Sequence, residues 1–308
     1  MRRTDRKLLA AFVLGVVCHA IFLKLTNTHD KYNHTSRNRE CVDWANIPAE
    51  TMTDLQIFDY LKWTNQSACA LKHYFGGSFS QLSLYMTPGK DGQKAICMDY
   101  QVDPDSWGCI VYSFGINNEW SFDDEMEKYG CHIFAFDPSM NASNHKHSKR
   151  TWFYNIGLAD KDYEKTVLKK GIESKWNMKS LSSIHSMITK KGNAVIDYLK
   201  IDIEGDEWVV IEDIIASGML PKIRQIGIEV HFWPANGTLS HFRSLAAILQ
   251  SLEANGMVRF DSVINPASKD FIDAFKYTEI TCYEIAWYNN HLYQNAVETF
   301  APLKPLKI

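Results

Sequence analysis

The chain has 308 residues, of which 45% are hydrophobic and 13% aromatic, with a formal net charge of -3. That length suits one large α/β domain with extensions, and the apolar share is ample for a folded core. The near-neutral balance excludes the basic footprint of a nucleic-acid binder.

Positive charge clusters at the start, on Arg2, Arg3, Arg6 and Lys7, and Leu8 to Leu23 then carries no charged residue. As a helix this run spans roughly 24 Å, and Lys24 can snorkel toward the far headgroups of a hydrocarbon layer about 30 Å thick. Basic residues ahead of the span keep the N-terminus cytosolic. No small-x-small cleavage site follows, which favours a retained anchor over a cleaved signal peptide. Residues 1–25 therefore read as a cytoplasmic tail and signal anchor. Residues 26–40, rich in Asn, His, Arg and Thr, read as a stem. Four Asn-x-Ser/Thr triplets follow, at Asn33, Asn65, Asn141 and Asn236. Together they predict a single-pass type II membrane protein of the Golgi or endoplasmic reticulum, with a lumenal domain.

Six cysteines lie beyond the anchor: Cys41, Cys69, Cys97, Cys109, Cys131 and Cys282. An oxidising lumen permits up to three bridges. Cys41 with Cys69 is the favoured pair, because both precede the main sheet. Cys109 and Cys131 read as buried free thiols.

Residues 41–96 read as a helical N-terminal extension, amphipathic from Asp43 to Ser80 and broken at Gly76-Gly77. Lys94 to Tyr100 is expected to form a short accessory strand. The main domain, 97–308, then alternates strands and helices. Strands are expected at 109–114, 132–136, 151–156, 195–203 and 223–230. Helices are expected at 122–129, 180–190, 207–216 and 241–254. Two late strands, 257–263 and 279–288, are expected to run antiparallel. Near-continuous apolar strands alternating with helices predict an α/β sheet covered on both faces.

Chemistry-bearing residues fall at strand ends. Val111-Tyr-Ser-Phe-Gly115-Ile-Asn117-Asn-Glu119 stops an apolar run at a glycine, which permits a tight bend and close ligand approach. Asn117 and Asn118 tolerate left-handed backbone angles. About 20 residues on, Ala135-Phe-Asp137-Pro138 places a carboxylate where ribose hydroxyls are held in nucleotide-binding sheets. Tyr154-Asn-Ile-Gly157 could supply backbone groups and apolar surface to a flat base, or be a plain strand exit. Tyr198-Leu-Lys-Ile-Asp202-Ile-Glu204-Gly205 puts two acids on one face at period two. Glu229 and His231 end the next strand in the same i, i+2 relation. The acids suit a general base for a hydroxyl, a hard divalent ion, or a satisfied structural network in which Glu204 caps the next helix. The base reading is preferred and no metal ligand set is assigned. His145, Lys146 and His147 read as solvated surface. Phe232 and Trp233 read either as an acceptor wall or as core.

In these stretches, and most specifically in Lys200-Ile-Asp-Ile-Glu-Gly205, the sequence resembles the FkbM-type and related membrane-anchored methyltransferase-like families over about Cys97 to Tyr288. The resemblance implies a Rossmann-like, seven-stranded, S-adenosylmethionine-dependent methyltransferase sheet, mostly parallel with a late antiparallel strand and helices on both faces. It assigns Gly115 with its neighbours Ser113 and Asn117 to the methionine side of the cofactor, and Asp137 to the ribose. Gly157 is counted with the cofactor site, and Asp202, Glu204 and His231 with the reaction edge. One departure is that Asn117 stands where a second glycine is frequent. The expected activity is O-methylation of a small-molecule or glycan acceptor. A catalytically silent binding module and a nicotinamide-dependent oxidoreductase are the alternatives.

Overall fold

The computed structural model describes residues 42–80, 89–104, 108–169, 171–189 and 194–299. The fold is carried by the unit that begins at Ala45. The expected anchor and stem, with Asn33, Cys18 and Cys41, lie outside the described residues. Among those described, no helix is long and apolar enough to cross a membrane.

Among the described residues of the segment that reads as a helical extension, one α-helix forms, α1 (Asp54–Lys62). Thr53 opens it with a capping box closed by Gln56. The chain then turns to short strands, β1 (Lys72–Phe75), β2 (Ser78–Ser80), β3 (Gly89–Asp91) and β4 (Lys94–Cys97). The expected helix up to Ser80 is thus corrected. The aromatic His73-Tyr-Phe stretch gains more from pairing β1 with β4, antiparallel, than from helix, and Gly76 and Gly77 both take positive φ. β4 itself is the expected accessory strand. It is held to the sheet by the buried Gln225, whose side chain accepts from Cys97 N and donates to the Cys97 and Val102 carbonyls.

The main domain continues with β5 (Ile110–Phe114), α2 (Ser121–Tyr129), β6 (His132–Phe136), β7 (His145–Lys146), β8 (Thr151–Tyr154) and β9 (Gly157–Leu158). Next come β10 (Tyr163–Lys169), β11 (Ile172–Lys179), α3 (Leu181–Thr189), β12 (Ile196–Ile201), α4 (Glu207–Ala216) and β13 (Ile223–His231). The last elements are α5 (Leu239–Ala254), β14 (Met257–Ile264), β15 (Lys269–Ile272), β16 (Tyr277–Ile280), β17 (Cys282–Asn289) and α6 (Asn290–Thr299).

Eight strands form the central sheet in the order β14-β17-β13-β12-β5-β6-β8-β7. Strand β17 runs antiparallel to both β13 and β14, and the strands from β13 to β8 are parallel. This is the expected mostly parallel sheet of seven with a late antiparallel strand, extended by the two-residue edge piece β7. Helices cover both faces, as alternation along β5 shows. Val111 packs with Phe122 and Met126 of α2, while its neighbour Tyr112 shares a hydrogen bond with His185 of α3.

From β5 the chain winds outward through β6 to β8, then crosses back to β12 on the other side. The crevice at such a reversal is where open α/β sheets hold ligands. Register brings Phe114, Phe136, Ile201 and Ile228 to one edge, so the four chemistry-bearing loops leave side by side.

Two disulfides differ from the expected pairing. Cys69 joins Cys97, and Cys109 joins Cys131. The register explains both. Lys72 pairs with Cys97 across β1 and β4, which brings the preceding Cys69 alongside. Cys109 and Cys131 each precede the first residue of adjacent parallel strands, Ile110 and His132. Cys282 is free and buried.

Candidate functional site

The bend after β5 is over-determined. Gly115 takes φ +77°, and a Cβ there would overlap the backbone carbonyl oxygen of Asp202. Its own N–H donates to Phe136 O at 3.1 Å, and the Lys200 ammonium donates to its carbonyl at 2.8 Å. Asn117 and Asn118 follow with φ of 44° and 61°, the left-handed region their type tolerates.

Asp137 closes the bend from the neighbouring strand. Its Oδ2 accepts the Ile116 and Asn117 amides at 3.0 and 2.8 Å, and its Oδ1 accepts the Ser139 amide at 2.7 Å. The residue is only 4% exposed. Three of roughly four acceptor positions of a carboxylate are thereby filled. Asp137 lies at the expected place, but first as the brace of the loop that forms the cavity floor.

The cavity has a volume of about 600 Å³. Gly115, Asn117, Asp137 and Gly157 line it together with Asp202, Glu204 and His231, so seven of the eight sequence-derived candidates share one hollow. Ser113 does not. It is fully buried in β5, on the face turned to α2, beside the buried Asp123. The period of two sends Ser113 into the sheet covering rather than to the strand end. Gly157 supplies close approach, since a Cβ there would strike the Met178 side chain and meet Pro138 at 3.0 Å.

At the other end β12 and β13 are adjacent, so the acids do lie side by side. Lys94 is buried, with its ammonium 2.6 Å from Glu284 and 4.0 Å from Asp202. Burial alone would raise the Asp202 pKa, but Lys94, Lys200 and His231 together hold it below the ordinary carboxylate value. Burial, with the charges of Glu284 and Asp202, pushes Glu229 well above its ordinary value. Glu229 therefore keeps a proton and hydrogen-bonds Asp202, while Asn265 donates to its Oε1 at 2.9 Å. Burial likewise raises Asp123, to about 6, against the attraction of Lys200.

Glu204 does not cap the helix after β12, whose N-cap position is Asp206 and which has no side-chain cap; Glu207 instead braces the loop that leads into it. Glu207 is fully buried and accepts the Ile203 and Gly205 amides, each at 2.9 Å, and the Nδ1 side of His231 at 3.0 Å. Glu204 is left with φ +59° and a side chain 74% exposed, its Oε2 3.7 Å from His231 Nε2. Burial would lower the His231 pKa, but contact with Cys282 and Glu207 raises it. His231 thus favours holding a proton, which moves the base role toward the carboxylates.

Of the two aromatics after His231, Phe232 is core, packed edge-on to Trp208, and Trp233 lines the cavity with its ring 4.6 Å from that of His231. His145, Lys146 and His147 are exposed on the edge strand, as expected of solvated surface. Asp91, Trp176, Met178, Asn265 and Cys282, which carry no sequence signal, also line the cavity, as does Lys200. Lys200 was the one visible clue, a lysine inside a strand whose six residues are all buried.

Comparison with known proteins gives the chain its relatives. A family model described as a methyltransferase domain matches residues 49–278. The probable methyltransferase-like protein 24 of Homo sapiens is 28% identical over 188 residues, covering 59% of this chain and 50% of that protein. The protein of the same name from Rattus norvegicus matches with the same identity and coverage. The chain spans about half the length of these curated relatives.

Proposed function

The chain belongs to this methyltransferase-domain family, and on that premise we propose that it transfers a methyl group from S-adenosylmethionine to a hydroxyl of a small or carbohydrate-like acceptor in the secretory pathway. The observation that carries the reading is a single cavity with a backbone cradle at one end and an acidic rim at the other. The cradle fits the cofactor. Gly115 lets the backbone bend tightly against the Asp202 carbonyl, and Asp137 holds the amides of Ile116 and Asn117 in place. Gly115, Asn117, Asp137 and Gly157 would hold the nucleoside and methionine parts.

When bound, S-adenosylmethionine supplies an electrophilic methyl on a sulfonium. The protein's task is alignment, worth up to roughly 7–11 kcal/mol in such reactions. The acceptor hydroxyl would lie against Asp202 and Glu204, with Trp233 and Trp176 as walls. A carboxylate takes the hydroxyl proton as the new carbon–oxygen bond forms. Glu207 fixes the ring of His231 so that its Nε2 faces that hydroxyl.

Two features support the compartment. Disulfides persist in oxidising surroundings, and the described residues hold two. Asn141 and Asn236 are exposed and Asn65 is half-buried. The N-terminal apolar run would then serve as a type II anchor. The filled lone pairs of Asp137 and the single-glycine bend favour, as the second reading, a silent binding module. The antiparallel β17 inserted between β13 and β14 speaks against a nicotinamide-dependent oxidoreductase.

Titration calorimetry of the full chain with S-adenosylhomocysteine tests the proposal. Saturable binding is expected, weakened at least tenfold by Asp137→Ala, because each unpaired buried amide costs about 1–3 kcal/mol. A folded chain that binds no S-adenosyl ligand would overturn it in favour of the binding module.

A further inference from the structure

Among the described residues two lysines are almost fully buried near this edge of the sheet, and their surroundings differ. Lys94 has a carboxylate partner, with its ammonium 2.6 Å from Glu284. Lys200, 4% exposed, has none within ion-pair distance. Its ammonium donates to the Gly115 carbonyl at 2.8 Å and, more weakly, to the Phe114 carbonyl at 3.4 Å. Asp202, Asp123 and Glu284 feel its charge only from farther off. A buried charge that meets only neutral carbonyls is costly, and an ammonium has three protons to donate. Lys200 lines the cavity, so the direction left to its charge is that hollow.

The strand places it there. Lys200 follows Tyr198 by two residues, so both sit on the face toward α2, where Tyr198 packs on Phe122. Its register partner on β5 is the small Ser113. The stem passes that residue and ends at Gly115, at the bend of the cradle. Strand order then gives the cavity a direction. Gly157 follows β8, Asp137 ends β6, Gly115 ends β5 and Lys200 lies on β12, and these strands are neighbours in the order β8-β6-β5-β12. The β8 end is lined by the apolar Pro138, Leu158 and Met178. A nucleoside whose sugar lies at Asp137 and whose tail crosses Gly115 brings that tail to Lys200.

We propose that Lys200 binds the carboxylate of the ligand's amino-acid tail, and so makes the cavity selective for S-adenosyl ligands over nucleosides that lack this charge. This role presupposes the methyl-transfer reading and adds to it the residue that recognises the tail. Asp202 does not fill the place of that carboxylate, since its own ion-pair contact, at 4.0 Å, is with Lys94. An ammonium–carboxylate hydrogen bond is among the stronger ones, and here it satisfies a charge already withdrawn from water.

Titration calorimetry of the full chain compares S-adenosylhomocysteine with its decarboxylated analogue, which keeps the nucleoside and the amine. The parent is expected to bind S-adenosylhomocysteine at least about tenfold more tightly. Lys200→Met should remove that preference, weakening S-adenosylhomocysteine by the same factor and leaving the analogue no weaker. A variant that merely disturbs the cradle weakens both ligands alike, so the pattern isolates the contact with the carboxylate. Lys200→Gln, which keeps an N–H for the Gly115 carbonyl, takes its place if circular dichroism shows Lys200→Met unfolded. Equal affinities in the parent, or equal weakening of both ligands by the variant, would overturn the role of Lys200 and leave methyl transfer standing. Binding of neither ligand by the folded parent would overturn both.

Discussion

Gly115 shows how much one residue decides. Its backbone angle and the Asp202 carbonyl packed against it both exclude a side chain. Gly115→Ala is expected to destabilise the fold by about 3 kcal/mol or more, through strain at a positive φ and overpacking at a junction of two strands. Gly108→Ala is the matched control, since nothing lies within 4 Å of its Cβ position, and should stay within about 0.5 kcal/mol. Denaturant unfolding of the two variants checks the contrast, and equal losses would sink the account. Residues of this kind are legible in sequence because strand ends are. An apolar run that stops at Gly115, Asp137 or Asp202 marks the edge of a sheet. Side-chain direction was harder to read. Ser113 is two residues from the bend, yet the strand period buries it. Glu207 reads as an ordinary first-turn acid, and only the folded loop shows it gathering two amides and a ring nitrogen.

At the scale of elements, the parallel strands and their helices stand within a few residues of where hydrophobic pattern places them. The hairpin of β10 and β11 is the clear omission. It carries several charged residues on both strands and exposes much of each, so its sequence resembles a loop until the antiparallel pairing and Gly171, at φ +79°, are seen. It brings Trp176 and Met178 to the cavity. The cysteines teach a related lesson. Cys109 and Cys131 look like core thiols from their surroundings, but parallel pairing of β5 with β6 sets them side by side. Their separation of 22 residues closes a loop whose constraint on the unfolded chain is worth about 3 kcal/mol. Replacing both by serine is expected to lower stability by that order while leaving the β-sheet signature of circular dichroism intact. An unchanged unfolding midpoint would show the bridge to be energetically idle.

For the whole molecule, the segment before residue 97 is not a detachable cap. β4 crosses that boundary, Asp91 and Gly92 line the cavity, and Lys94 stands behind Asp202. Truncations that begin inside this segment would therefore alter the site. The proposed topology makes a separate prediction. Full chain made in secretory cells should shift in mobility when treated with a glycosidase and remain in the membrane fraction after alkaline extraction. A chain that carries no glycan and washes free of the membrane would place the domain elsewhere.

Local pattern was enough to determine the class of sheet, its late antiparallel strands, and which strand ends carry the chemistry, because burial imposes a period on every strand and helix. Pairing in space decided the rest: the disulfide partners, the lysines set behind the acids, the carboxylate that orients His231, and the side of β5 on which Ser113 lies. Those depend on contacts between residues as far apart as Lys94 and Glu284, and a distance of that kind leaves no mark in the order of neighbours along a chain.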